Sequence, residues 1–267
     1  MPGKRVPRAF PRERPSSSRT HAASAGACRD SDWESVRREL RSAADSGLSE
    51  KYARVSPTCG EVLGVTVPAL RQMVKDFASR SPQLEVDVAI EIANDAFVSA
   101  CREEMLFAIF LIARFKRRLN ASHWSSIDRW VEVVDNWETC DQLAMAVAGE
   151  LIGRARAKER EQFLADLTKW SVAPNPWRRR FAVSSTTALN QKGRKNAVAT
   201  LQVCEGVIED IDKNVQAAVG WAMREASKSD AKAVFAFLKK HQKSMPPGLL
   251  RKSAEKLSAL QRAALGL

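Results

Sequence analysis

Apolar residues recur at every third or fourth position along most of the chain from Ser31 onward, the spacing that collects them on one face of an α-helix. The two-residue alternation of a half-buried strand is scarce. The pattern therefore predicts an all-α protein with about twelve helices. They are expected at residues 31–46, 67–79, 83–97, 101–118, 121–134, 138–154, 157–170, 175–190, 193–208, 213–228, 230–241 and 247–264.

Turn-forming residues support several of these boundaries. Pro68 falls in the first turn of its predicted helix, where its missing N–H group costs nothing. Pro174 and Pro176 interrupt the chain before the helix at 175–190, and the Pro246-Pro247-Gly248 turn precedes the last predicted helix.

The number of helices indicates how they are arranged. Twelve helices over residues 31–267 make six pairs of about 40 residues each, the period of HEAT-type repeats. One pair cannot bury its apolar face alone, so the pairs are expected to stack into a superhelical α-solenoid with a concave surface. A compact helical bundle is the alternative architecture.

Composition separates residues 1–30 from the domain at 31–267. This first segment has seven basic and two acidic residues, is rich in Pro, Ser and Ala, and lacks the apolar stretch of a secretory signal. It is predicted to be a disordered basic arm that adds non-specific attraction to phosphates. An organelle transit peptide has a similar composition and is the alternative.

Positive charge is concentrated in the C-terminal part of the chain. The net charge is +12, yet residues 1–150 contain 21 basic and 21 acidic residues, whereas residues 151–267 contain 22 and 10. Such asymmetry favours a surface that binds a polyanion, with nucleic acid preferred over a merely soluble exterior.

Cysteine usage and hydropathy indicate the compartment. The five cysteines are scattered without a CxxC pair, which argues for a reducing environment, and the three histidines lie far from them in sequence. The longest uncharged apolar run, Met105 to Ala113, is too short to span a membrane. We expect a cytoplasmic monomer (associated with the nucleoid if it is bacterial) with no metal site and no membrane contact.

Three segments contain the candidate functional residues. In NWETCD, Trp137 and Asp141 are four residues apart and share one face of a helix. In NPWRRRFAV, three arginines open a helix. In VQAAVGWAMREASK, Gly220 precedes Trp221 within a helix; glycine there costs about 1 kcal/mol relative to alanine, which indicates close packing at that turn.

These segments, together with GVTVPALRQMVKDF and REEMLFAIFLIARF, resemble the DNA alkylation repair family, the HEAT-like-repeat alkylpurine DNA glycosylases of the AlkD type. The motifs occur in the family's order and cover roughly residues 50–260, so residues 1–40 fall outside the resemblance. The family's lesion site implies functional roles for Trp137, Asp141, Arg180 and Trp221. It also implies DNA contacts by Tyr52, Arg178, Arg179, Arg180 and Arg224.

The resemblance implies hydrolysis of the N-glycosidic bond of N3- or N7-alkylated purines in double-stranded DNA, without metal or organic cofactor. Asp141 would stabilise the oxocarbenium character of the sugar. Trp137 and Trp221 would offer cation–π contacts to the cationic nucleoside, and Arg180 would bind a backbone phosphate.

Two other functions compete with this interpretation: a non-catalytic DNA-binding relative and a protein-interaction scaffold. Each residue also has a purely structural interpretation, because a tryptophan is more often in a core, an aspartate in a first helical turn is often a cap, and an arginine run is often a solvated face. The remaining tryptophans are interpreted structurally. Cys140, with no histidine near it in sequence, is interpreted as a packing residue.

Overall fold

The computed structural model describes residues 22–267, and that part of the chain is all-helical, without a strand, as the sequence predicts. None of its helices is long and apolar enough to cross a lipid bilayer. The helices are α1 (Ala22–Ser42), α2 (Ser46–Val55), α3 (Val67–Arg80), α4 (Val86–Ser99), α5 (Arg102–Arg114), α6 (Trp124–Val133), α7 (Trp137–Leu143), α8 (Gly149–Arg154), α9 (Ala157–Trp170), α10 (Pro176–Thr187), α11 (Ala197–Cys204), α12 (Lys213–Ser229), α13 (Ala231–His241), α14 (Pro247–Ser253) and α15 (Ala259–Ala264).

The helices pack in two rows that follow chain order. In one row, α3, α5, α7, α10, α12 and α14 each contact the next. Helices of the other row cover them: α4 packs on α5 and α6, α9 on α10 and α11, and α11 on α12 and α13. Helix α10 lies between α7 and α12, and every residue from Arg180 to Thr187 is buried.

Five tryptophans contribute to the apolar core. Trp124 stacks on Trp170 with ring centroids 5.3 Å apart, and Trp130 stacks on Phe97 at the same distance. Trp33 contacts Phe107 in the core. These contacts support the structural interpretation of the tryptophans outside the three motifs.

Several helix boundaries differ from the sequence prediction. Helix α1 already begins at Ala22, so part of the predicted 1–30 arm is helical; residues 1–21 lie outside the described residues. Helix α2 was not predicted, because its apolar face is short, with Leu48, Tyr52 and Val55 as its large apolar residues, and none of its residues is fully buried. The helix predicted at 138–154 contains a π-helical turn at Ala144–Ala148, and the one at 247–264 is two helices.

A buried carboxylate fastens α8 to the loop that follows α10. The side chain of Glu150 is 4% exposed and accepts hydrogen bonds from Arg194 at 2.8 Å and Lys192 at 2.9 Å. Burial alone raises the pKa of Glu150, but the hydrogen bonds and charges of these two cations outweigh it and lower the pKa from 4.5 to about 2. Because the folded-state pKa is lowered, the stabilisation is complete above pH 4.5 and is lost as pH falls toward 2.

Replacing Glu150 by glutamine should therefore lower the free energy of unfolding most at neutral pH, since an amide cannot pair with Arg194 as a charge does. Urea unfolding of both proteins at several pH values measures this. The difference between them should narrow as pH falls below about 4. If the two free energies of unfolding differ by the same amount down to the lowest pH at which the protein still folds, the prediction is contradicted.

Candidate functional site

Three helices of the same row begin at capped positions. Asn136 caps α7, Asn175 caps α10 and Asp212 caps α12, each side chain accepting a hydrogen bond from a backbone N–H of the first turn. Pro176 adds a residue preorganised for the first turn of α10. Asp141 and Arg180 each lie five residues after the residue that caps their helix. Both side chains therefore project from the second turn of their helices.

The centre of the site is a paired carboxylate. Arg180 donates from Nε to Oδ1 of Asp141 at 3.0 Å and from Nη2 to Oδ2 at 2.5 Å. Ser184, one turn further along α10, donates its hydroxyl to Oδ1 at 2.9 Å. Nη1 of Arg180 donates to the carbonyl of Asn214 at 2.6 Å. One guanidinium thus joins the carboxylate on α7 to the start of α12.

Trp137 and Trp221 are the two of the seven tryptophans that lie outside the apolar core. Trp137 is 37% exposed and precedes Asp141 by one turn, and its Nε1 donates to the carbonyl of Val55 at 3.0 Å. Trp221 is half-buried on α12, two turns beyond Asn214. Trp137 therefore lies on the helix that carries Asp141, and Trp221 lies on the helix whose Asn214 carbonyl accepts from Arg180.

Gly220 allows the close packing that its position in a helix predicts. A Cβ atom added there would lie 3.2 Å from Cβ of Lys252 on α14. The missing side chain lets α14 approach α12 at the turn that carries Trp221, which explains why a residue unfavourable in helices occurs at this position.

The three consecutive arginines do not present a basic surface. Arg178 pairs with Asp128 at 2.6 Å and with Glu132, and its guanidinium lies 4.7 Å from the ring centroid of Trp170. Arg179 pairs with Asp210 at 2.6 Å. Successive helical residues point about 100° apart, so Arg178, Arg179 and Arg180 reach three different neighbours.

These pairings bear on the roles that the sequence predicts for the three arginines. Arg178 and Arg179 each pair with carboxylates of the protein, and their contact with DNA stays a prediction. Arg180 is 6% exposed and three of its N–H groups have partners, so its guanidinium orients the carboxylate of Asp141, and its predicted contact with a phosphate stays a prediction.

Tyr52, which the sequence predicts to contact DNA, packs against a buried arginine in the structure. Its ring lies 4.2 Å from the guanidinium carbon of Arg102, a buried side chain that also pairs with Glu138 through two hydrogen bonds of 2.8 Å. Because Glu138 follows Trp137 directly, this cluster holds the start of α7. Sequence reasoning missed Arg102 and Ser184; the four-residue spacing from Arg180 was the available signal for Ser184.

Helices α12 and α14 carry a group of basic side chains, of which Arg224 follows Trp221 by about one turn and Lys228 pairs with Glu225 at 2.6 Å. Arg224 is half-buried, with its Nε 3.6 Å from the carboxylate of Glu255. The other basic residues of the group, two on α12 and two on α14, are exposed. We call these residues the basic stripe: Lys213, Arg224, Lys228, Arg251 and Lys252.

Cys140, next to Asp141, is a packing residue. It is fully buried, and desolvation followed by the charge of Asp141 raises its pKa well above the ordinary value, so the thiol stays protonated and unreactive. Among the side chains that the structure describes, those of residues 32–267, no cluster of three or more His, Cys, Asp and Glu is arranged to hold a metal ion.

Comparisons with known proteins identify the family and agree with the fold. The family model for the DNA alkylation repair enzyme matches residues 36–257. A predicted DNA alkylation repair enzyme from Enterococcus faecalis has a similar structure, with a TM-score of 0.67 and 17% sequence identity over 81% of this chain and 97% of that one. At this identity the likeness shows a shared fold. No curated protein matches the sequence. The chain belongs to the DNA alkylation repair enzyme family.

Proposed function

We propose that this protein is an alkylpurine DNA glycosylase that hydrolyses the N-glycosidic bond of N3- or N7-alkylated purines in double-stranded DNA. The observation that carries this proposal is the carboxylate of Asp141, oriented by Arg180 and accompanied by the two tryptophans outside the core. These groups match what the departure of a cationic base requires.

The chemistry assigns one role to each group. Alkylation gives the purine a positive charge, so the bond to C1′ breaks with its electron pair passing to the base. The carboxylate of Asp141 stabilises the positive charge that develops on the sugar and orients the water that attacks C1′. The indoles of Trp137 and Trp221 contact the cationic nucleoside through their faces, each contact contributing about 0.5–2 kcal/mol.

The two rows of helices support the further proposal that the fold is a HEAT-like solenoid. Each helix contacts its successor in the row, as stacked repeats do, and the covering helices follow the same order. In this arrangement the basic stripe extends along α12 and onto α14, where it would follow the phosphates of a duplex. The proposed ligand is therefore double-stranded DNA bound by a single copy of the protein.

Binding should depend strongly on salt, because each phosphate contact releases counterions and contributes about −0.9 to the slope of log affinity against log salt concentration. Replacing both Arg251 and Lys252 by alanine should make the slope shallower by about 2. The matched control replaces Lys158 and Lys232, exposed residues of the covering row. Equal slopes for the two double variants would contradict the assignment of the basic stripe.

The proposed reaction is tested by incubating the protein with methylated duplex DNA and analysing the soluble fraction for free bases. We expect methylated purines to appear faster than in enzyme-free samples. Tight binding to the duplex without released base would instead support a non-catalytic DNA-binding protein. One observation favours this second candidate: the two-point pairing of Asp141 with Arg180 is also a geometry that ties helices together.

A further inference from the structure

Resting on the proposed function, we propose that Ser184 is a positioning residue that selects which oxygen of Asp141 faces the substrate. Ser184 lies on α10, is fully buried, and touches the carboxylate from inside the protein. Its buried position means that it acts through Asp141 rather than on the DNA itself.

The hydrogen bonds to the two carboxylate oxygens are unequal. Oδ1 accepts from Nε of Arg180 at 3.0 Å and from the hydroxyl of Ser184 at 2.9 Å. Oδ2 accepts from Nη2 of Arg180 at 2.5 Å. A carboxylate oxygen has about two lone-pair positions, so Oδ1 is fully used and Oδ2 keeps one open. The Asp141 side chain is 16% exposed, which leaves an edge accessible to a ligand.

This inequality has a consequence for the proposed reaction. When the bond between C1′ and the purine breaks, its electron pair neutralises the base, and positive charge develops on the sugar. Water then forms the new bond to C1′ and gives its proton to Oδ2 or to solvent. Without the Ser184 hydroxyl, Oδ1 regains an open lone pair and only the two hydrogen bonds from Arg180 hold the carboxylate, so the direction of Oδ2 is less firmly fixed.

Ser185 provides a matched control in the same helix. It is as buried as Ser184, but its hydroxyl donates to the backbone carbonyl of Phe181 at 2.8 Å and not to a side chain of the site. Replacing either serine by alanine removes one buried hydroxyl from α10. Only the change at Ser184 alters the hydrogen bonding of Asp141.

The experiment measures the single-turnover rate of base release and the DNA dissociation constant for wild type, Ser184→Ala and Ser185→Ala on methylated duplex. We expect Ser184→Ala to slow release about 10-fold or more at saturating enzyme, with the dissociation constant unchanged, because misdirecting a reacting group by a fraction of an ångström affects the rate rather than the binding. Ser185→Ala should release base at the wild-type rate. Ser184→Cys, which keeps a weak donor, should fall between.

Thermal unfolding of each variant shows whether a slower release of base reflects lost stability or a misdirected carboxylate. If Ser184→Ala and Ser185→Ala release base at equal rates, or if Ser184→Ala weakens binding and not the rate, the inference is overturned while the proposed function stands. If wild type releases no base, the proposed function fails, and this inference fails with it.

Discussion

Replacement of Asp141 by asparagine is expected to slow base release by about 10²–10³-fold, the usual loss when one electrostatic stabiliser is removed. The amide keeps the shape of the side chain but lacks the negative charge that opposes the developing positive charge on the sugar. Affinity for DNA should be nearly unchanged, because the basic stripe does not include Asp141. Single-turnover base release and equilibrium binding on the same methylated duplex measure the two quantities.

Asp210→Asn is the matched control for loss of an ion pair. Asp210 pairs with Arg179 at 2.6 Å, and its side chain is 7% exposed, so this substitution also leaves an arginine of α10 without its carboxylate. Both variants should lose stability, but only Asp141→Asn should lose activity. If Asp210→Asn slowed base release as much as Asp141→Asn, the loss would reflect the fold of α10 and not a role of Asp141 in the reaction.

Replacement of Arg102 by methionine should lower the free energy of unfolding by about 3–5 kcal/mol, the range seen when one partner of a buried pair is removed. Arg102 is 2% exposed and pairs with Glu138 and with Glu103, which is fully buried. Methionine fills much of the same volume, so the loss comes from the carboxylates left without a cation. Urea denaturation of the variant and wild type at neutral pH measures the difference.

Arg118→Met is the control for this stability prediction. Arg118 pairs with Glu85 at 2.9 Å, but the two side chains are 58% and 67% exposed. Solvent screens such a pair, and its loss should change the free energy of unfolding by about 1 kcal/mol or less. If Arg102→Met also changed the free energy of unfolding by only about 1 kcal/mol, that result would contradict the structural role given to the Arg102 cluster.

Local pattern predicted much of the helical framework. The helix predicted at 157–170 has those bounds in the structure, and Gly220 packs as its unfavourable position indicated. Helix α2 was missed because its apolar stripe of Leu48, Tyr52 and Val55 spans only ten residues, whereas apolar periodicity is recognised over longer windows. Its importance lies instead in the carbonyl of Val55, which holds the indole of Trp137.

For the site, sequence spacing predicted which residues of one helix share a face, but it did not predict which residues of different helices are in contact. The four-residue spacing of Trp137 and Asp141 placed them on one face, and the family resemblance pointed to Arg180. The bond from Ser184 to Asp141 joins residues 43 positions apart, which no local pattern encodes. For the same reason the sequence did not reveal the ion pairs of Arg178 and Arg179, because their carboxylate partners lie elsewhere in the sequence.

The central claim is that this protein cleaves the bond between sugar and alkylated base by hydrolysis. It is tested most directly by mass analysis of the products from a duplex with a single N7-methylguanine, incubated with wild type in water enriched in ¹⁸O. The proposed reaction predicts free 7-methylguanine without the label and an abasic sugar carrying ¹⁸O at C1′. Recovery of unmodified guanine within an intact duplex would contradict hydrolysis, because the alkyl group would then have been removed with the glycosidic bond left whole.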